Sequence, residues 1–257
     1  AIRIFFSTGR NTVGMDTPGA TPPHLLSSTG GREWSPGWSV SVVEETGSTN
    51  TDLLAAAADG APDRSVLVAR HQTAGRGRID RKWEATPGAN LLVSLLFREI
   101  PDSPHVLTQR VGLAAIAACQ QVAGVRPTLK WPNDLLVDGA KLAGILAQAQ
   151  LGERPAVVVG IGLNVGWAPQ GSARLGDNVD PLDVLAAMLT AYDELPADVW
   201  MLYRQNLGTL GRSVRVELSE STIEGRALDV EADGRLVVVD SSDTTHHISV
   251  GDIVHLR

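Results

Sequence analysis

The chain of 257 residues carries little cysteine, little lysine and no surplus of positive charge. Its one cysteine, Cys119, excludes an intramolecular disulfide. That cysteine ends the apolar run Val111-Gly112-Leu113-Ala114-Ala115-Ile116-Ala117-Ala118-Cys119, so it reads as a core thiol rather than a nucleophile. No apolar run reaches the roughly 20 residues of a membrane span. Nor does the N-terminal stretch show an apolar core followed by a small-residue cleavage site, and a cytoplasmic protein is the expectation. Twenty-two Lys+Arg against 29 Asp+Glu give a formal net charge of −7 and a pI near 5.3. That balance argues against a broad surface for nucleic acid or anionic membrane. Nothing in the chain has the three-helix pattern of a helix-turn-helix either. Only three lysines occur, Lys82, Lys130 and Lys141. Where arginine covers the rest of the surface, each retained lysine marks a place for a compact, movable point charge.

What is present centres on Gly75-Arg76-Gly77-Arg78-Ile79-Asp80-Arg81-Lys82-Trp83, four cations in nine residues of an acidic chain. Glycine lets backbone N–H groups approach a ligand closely, and the guanidinium fork matches phosphate or carboxylate oxygens. The stretch therefore reads as an anion cradle; the plainer alternative is a solvated basic loop. Three more polar clusters stand at or near strand ends. In Ser48-Thr49-Asn50 the residues can cap the following helix or, with the helix N-terminal amides, face a polar ligand. Lys130-Trp131-Pro132-Asn133-Asp134 closes a short strand, with Lys141 just beyond a turn at Asp138-Gly139. Gly160-Ile161-Gly162-Leu163-Asn164 ends an apolar strand whose glycines mark a close approach to the backbone.

Residues 1–37, rich in Gly, Ser, Thr and Pro, read as a disordered leader. Residues 38–208 alternate strands and helices and read as one α+β domain, a mixed β-sheet backed by helices. Residues 209–257 change to short alternating segments parted by tight turns, the pattern of a small antiparallel β-barrel. His246 and His247 are neighbours on one of its strands and point to opposite faces, so they are not expected to share a metal.

Taken together and in this order, the four clusters resemble the biotin protein ligase family. The resemblance covers about residues 40–257, and the absence of a helix-turn-helix is similar to the monofunctional members that do not repress transcription. It implies a catalytic fold like that of class II synthetases, followed by an SH3-like barrel. The implied chemistry has two steps. Biotin and MgATP give biotinyl-5′-adenylate and pyrophosphate; the ε-amine of a lysine on a biotin carboxyl carrier domain, such as that of acetyl-CoA carboxylase, then displaces AMP. Carried over by position, the resemblance assigns catalysis to Arg78, Lys141 and Asp134. Biotin falls to Ser48, Thr49, Asn50, Gln72, Gly75, Arg76, Gly77, Arg78, Lys141 and Gly144. ATP falls to Arg78, Arg81, Trp83, Asn133, Asp134, Lys141 and Asn164, with Asp134 also the candidate ligand for Mg²⁺. Asp80 departs from the family's usual glycine at that position, which bears on the strength of ATP binding. The competing expectations are a lipoate or octanoate ligase or transferase, and a catalytically silent biotin-binding module. No nucleic-acid or membrane partner is expected, and an exposed sheet edge leaves a homodimer open.

Overall fold

The computed structural model describes residues 5–6, 32–78, 81–218 and 221–256. Asp80 and most of the expected leader lie outside the described residues. Two side chains near the end of the expected leader, Arg32 and Ser35, bond to the body. Arg32 bonds Asp180 (2.8 Å) and Asp183, and the Ser35 hydroxyl donates to Asp193 (2.6 Å).

The main sheet runs β2 (Ser39–Thr46), β3 (Ser65–Gln72), β4 (Leu91–Phe97), β8 (Ala156–Leu163), β7 (Ala140–Gln150), β6 (Asp134–Val137), β5 (Thr128–Lys130), and a two-residue β1 (Phe5–Phe6) pairs in parallel with β7. β2 and β3 are parallel and the other neighbours antiparallel, so the sheet is mixed, as expected. The β6–β7 hairpin turns at Asp138 and Gly139, with φ of 50° and 82°. Two successive left-handed residues suit the twist of the flanking strands, and Asp-Gly supplies them at low steric cost.

Two helices cover one face. α2 (His105–Ala123) and α3 (Pro181–Glu194) pack their apolar stripes on Val93, Ile145, Ile161 and Leu163, and α4 (Trp200–Asn206) joins them. Cys119 is fully buried here, and burial pushes its thiol up to about 12, as a core thiol requires. The other face is covered only in part, by α1 (Thr49–Ala58), whose Leu53 and Ala57 meet Leu67, Leu96 and Val158. Each such buried leucine or valine contributes about 1.5–3 kcal/mol.

The strand alternation then changes character. On the α1 face, one step along from Leu96 and Val158, stand Ser94 and Gly160; beyond Gly160 lies Gly162, opposite Gly144 of β7. Successive residues of one face are two apart, so large side chains give way to small ones along that face, and the sheet is hollowed where α1 ends.

The C-terminal part forms a five-stranded antiparallel sheet in the order β12 (Thr245–Ile248), β11 (Leu236–Asp240), β10 (Thr222–Val230), β9 (Ser213–Glu217), β13 (Asp252–His255). It is the SH3-like barrel expected. His246 pairs with Asp240 (2.7 Å) and His247 with Glu231 (3.0 Å), on separate partners. The barrel core, through Val214, Val216, Val230 and Leu236, is continuous with the sheet core.

Candidate active site

The hollow is a cavity of about 410 Å³, floored by β7 and β8 and walled by the start of α1, the Gly/Arg loop, the Lys130–Asp134 segment and one end of the barrel. Of the residues expected at the site, all but Gly75 line it. Gly75 instead forms the base of the loop. Its carbonyl accepts from Trp83 N (3.0 Å), and Arg76 bridges Lys82 across an antiparallel hairpin.

At the α1 end the cavity is neutral and polar. Ser48 stands at the helix N-cap but its side chain makes no capping bond. Thr49 and Asn50 are buried and turned toward the sheet instead. The Thr49 amide (2.8 Å) and hydroxyl (3.1 Å) both donate to Gln72 Oε1, so the Gln72 carboxamide is fixed with its nitrogen remaining to donate. Asn50 donates to the Leu146 carbonyl (3.1 Å) and to Gln148 Oε1 (2.9 Å). Ser94 Oγ lies 2.7 Å from Thr49 Oγ1 and 2.6 Å from Asn50 Oδ1, beneath both. Capping thus fails as the account of this triplet: two of its three side chains are spent on a buried network that points polar groups at the cavity.

At the other end the cavity is charged. Six cations line it, Arg76, Arg78, Arg81, Lys82, Lys130 and Lys141, against the four carboxylates Glu84, Asp134, Glu217 and Asp252. A protein of net −7 therefore presents a local cationic surplus here. Lys141 Nζ is 2.7 Å from Asp134 Oδ1. Arg78 donates to Asn133 Oδ1 (3.3 Å) and to the Gly251 carbonyl (3.4 Å), with Asp252 at 4.0 Å. Burial holds its guanidinium below the ordinary arginine value, opposed by the Asp252 and Asp134 carboxylates. Arg81 pairs with Asp252 of β13. Among the described residues, Arg76, Lys82 and Lys130 form no ion pair.

Two of the expected nucleotide residues are held within the framework. Asn133 Nδ2 donates to the Ile145 carbonyl (2.7 Å), leaving its oxygen for Arg78. Asn164 is buried, and its nitrogen donates to the Ala173 (3.0 Å) and Lys141 (3.4 Å) carbonyls. Its side chain thus steadies the backbone of Lys141 as well as lining the cavity. Sequence reasoning passed over Ser94 and Gln148, polar residues within apolar strands, and Asn90 just before β4, whose side chain accepts from the Val165 and Trp167 amides and donates to Asn164; it also gave the barrel no part in the site. The lone serine in Leu91-Leu92-Val93-Ser94-Leu95-Leu96 is the signal that could have found the first of them. Among the described residues no group of three His, Cys, Asp or Glu gathers in the way that would hold a metal alone.

The chain matches the biotin/lipoate A/B protein ligase family over residues 42–165 and the biotin protein ligase C-terminal domain over residues 209–256. It is 40% identical to a biotin–[acetyl-CoA-carboxylase] ligase of Mycobacterium tuberculosis, across 86% of this chain and 91% of that protein. Identity to the bifunctional ligase/repressor BirA of Bacillus subtilis is 31%, across 77% of this chain and 67% of the relative. A biotin protein ligase from Aquifex aeolicus, solved with biotin and ATP, superposes with a TM-score of 0.72 at 24% identity, covering 85% of this chain and 99% of that one. The chain belongs to the biotin/lipoate A/B protein ligase family, on its biotin-ligase side.

Proposed function

We propose that the chain is an ATP-dependent biotin protein ligase whose acceptor is the biotin carboxyl carrier domain of a carboxylase. The observation that carries this reading is one cavity with a fixed neutral polar end and a cationic end. Such a cavity suits a substrate with an uncharged hydrogen-bonding ring, an apolar body and a carboxylate tail.

The Gln72 amide nitrogen, with Thr49, Asn50 and Ser48, meets the ureido ring, and the Gly144 and Gly162 backbones lie along the bicycle. The tail carboxylate then points to the charged end. There its oxygen attacks the α-phosphorus of ATP and pyrophosphate leaves, giving a mixed anhydride. Two anions must approach each other in this step. Lys141, Arg76 and Arg78 are aimed where their repulsion and the developing charge concentrate. Arg81, Asn133, Asn164 and Trp83 serve the nucleotide. Asp134 would hold a magnesium ion carried on the phosphates through one oxygen, at the expense of its contact with Lys141, and the ion would supply further charge neutralisation there.

In the second step the acceptor amine attacks the acyl carbon and AMP departs. The incoming ammonium must first lose a proton, and Asp134 is the carboxylate at the rim that can orient it. The test is biotin-dependent pyrophosphate release with MgATP, with and without a purified carrier domain. Release that needs biotin, with label moving to the carrier lysine, is expected. Release with lipoate or octanoate in its place would move the protein to the other side of its family, and binding without turnover would make it a silent module.

A further inference from the structure

The floor between β7 and β8 holds an occupant of its own. The indole of Trp83 lies against the backbone where Gly144 and Gly162 face each other across the ladder. A Cβ on Gly162 would stand 2.7 Å from Trp83 Nε1 and 2.8 Å from Cδ2, and one on Gly144 would stand 3.2 Å from Cζ3. Only two facing glycines make a slot that admits an aromatic ring this closely. The ring is also beside the charged end, its centroid 5.7 Å from Lys141 Nζ. Yet its Nε1 is buried and, among the described residues, has no hydrogen-bond partner. A buried indole N–H ordinarily finds an acceptor, and one left without is destabilising. The ring therefore fits the slot by shape and fails it by polarity. Its tether is the short Arg76–Lys82 hairpin, joined to the body through Gly75.

We propose that Trp83 is a self-ligand: its indole fills the Gly144–Gly162 slot, and the ring substrate enters only when the indole withdraws. This rests on the proposed function, in which the biotin bicycle lies on the same glycines. The slot then has two competing occupants. Biotin satisfies its polar edge on Gln72, Thr49 and Asn50, whereas the indole leaves a donor unpaired, so the substrate displaces it. A protein whose binding-competent form is a fraction f of the whole binds with an affinity reduced by f. Removing the indole restores that fraction, and the gain falls on the association rate.

The experiment is stopped-flow association of biotin, without nucleotide, to the full chain and to its Trp83→Phe and Trp83→Ala variants. If the indole fills the slot nine-tenths of the time, Trp83→Ala associates about tenfold faster, with Trp83→Phe between the two. Acrylamide quenching provides the second reading, taken as wild type minus Trp83→Phe so that Trp83 alone is followed. It should rise when biotin is added to the wild type. Equal or slower association in Trp83→Ala, in a variant that still binds biotin, would overturn the proposal and make the indole a fixed wall. A wild-type protein that takes up no biotin at all would instead remove the functional reading, and this inference with it.

Discussion

Lys141 Nζ and Asp134 Oδ1 stand 2.7 Å apart across the β6–β7 hairpin, with Asp134 paired in register to Gly144. The proposed catalytic cation and the proposed acceptor-orienting carboxylate thus neutralise each other. Any ligand that recruits one releases the other, so the two side chains work as a unit. Single-turnover adenylate formation should fall about 10²–10³-fold in Lys141→Met, the usual cost of removing one preorganised charge from a transition state. Lys141→Arg should not restore it, because a planar fork does not replace a compact point charge. The double variant Lys141→Met/Asp134→Asn should be no slower than Lys141→Met alone, since effects within one network do not add. Multiplying losses in the double variant would show that the two residues act separately.

Gly160 is the tightest point of the polar end, because a Cβ there would overlap the Asn50 carboxamide. Gly160→Ala should therefore displace Asn50 from Ser94, the Leu146 carbonyl and Gln148 together. The expected outcome is a biotin dissociation constant raised by at least about tenfold, the 1.4 kcal/mol of roughly one lost net hydrogen bond. Binding of an ATP analogue should be unaltered, because the charged end lies on other strands. Isothermal calorimetry with both ligands checks it, and equal weakening of the two would show a general collapse of the cavity instead.

Much of this was legible in the sequence for a physical reason. The mixed sheet and barrel follow from apolar alternation and from turns such as Asp138-Gly139, and the cationic loop stands out against a chain of net −7. What escaped was whatever depends on pairing between distant strands. Ser94 reads as a stray polar residue until register sets it opposite Gly160 and under Asn50. Asp252 and Gly251 belong to a barrel that reads as self-contained in sequence, yet they meet Arg78 and Arg81, more than 170 positions away. Only the family resemblance assigns Trp83 to the nucleotide. Its seat on two facing glycines follows only from the β7–β8 ladder.

The barrel also carries an acid-sensitive group. Burial first, then the Lys130 and Arg212 charges, hold His255 down to about 4 from an ordinary 6.5. Between those values the unfolded chain takes a proton that the folded chain refuses. Stability should accordingly be full above about pH 6.5 and fall as the pH drops toward 4. Asp229, held low chiefly by Arg204, and Asp240, held low chiefly by His246, lose stability in the same direction on acidification. The comparison must therefore be between proteins rather than between pH values alone. In urea melts at pH 7.5 and 5.0, His255→Gln should show a smaller drop than the wild type, and identical drops would remove His255 as a cause.

Thr209 links that histidine to the charged end of the site. Its buried hydroxyl accepts from the Trp131 amide (3.0 Å) and lies 3.2 Å from His255 Nε2. Trp131 is held a second time by the barrel, through Nε1 to the Gly234 carbonyl (2.9 Å). The segment running on to Asn133 and Asp134 is thus clamped by the C-terminal unit. Thr209→Val keeps the shape and leaves the Trp131 amide buried without an acceptor, a loss of about 1–3 kcal/mol in stability. If the clamp serves only folding, the kinetic constants of the folded variant stay put. If it positions the nucleotide side, the KM for ATP should rise severalfold while the biotin dissociation constant is unchanged, because Gln72, Thr49 and Asn50 are anchored on β3, α1 and β4 and do not touch Thr209. Parallel steady-state kinetics and biotin calorimetry on the one variant separate those outcomes, and we expect the second.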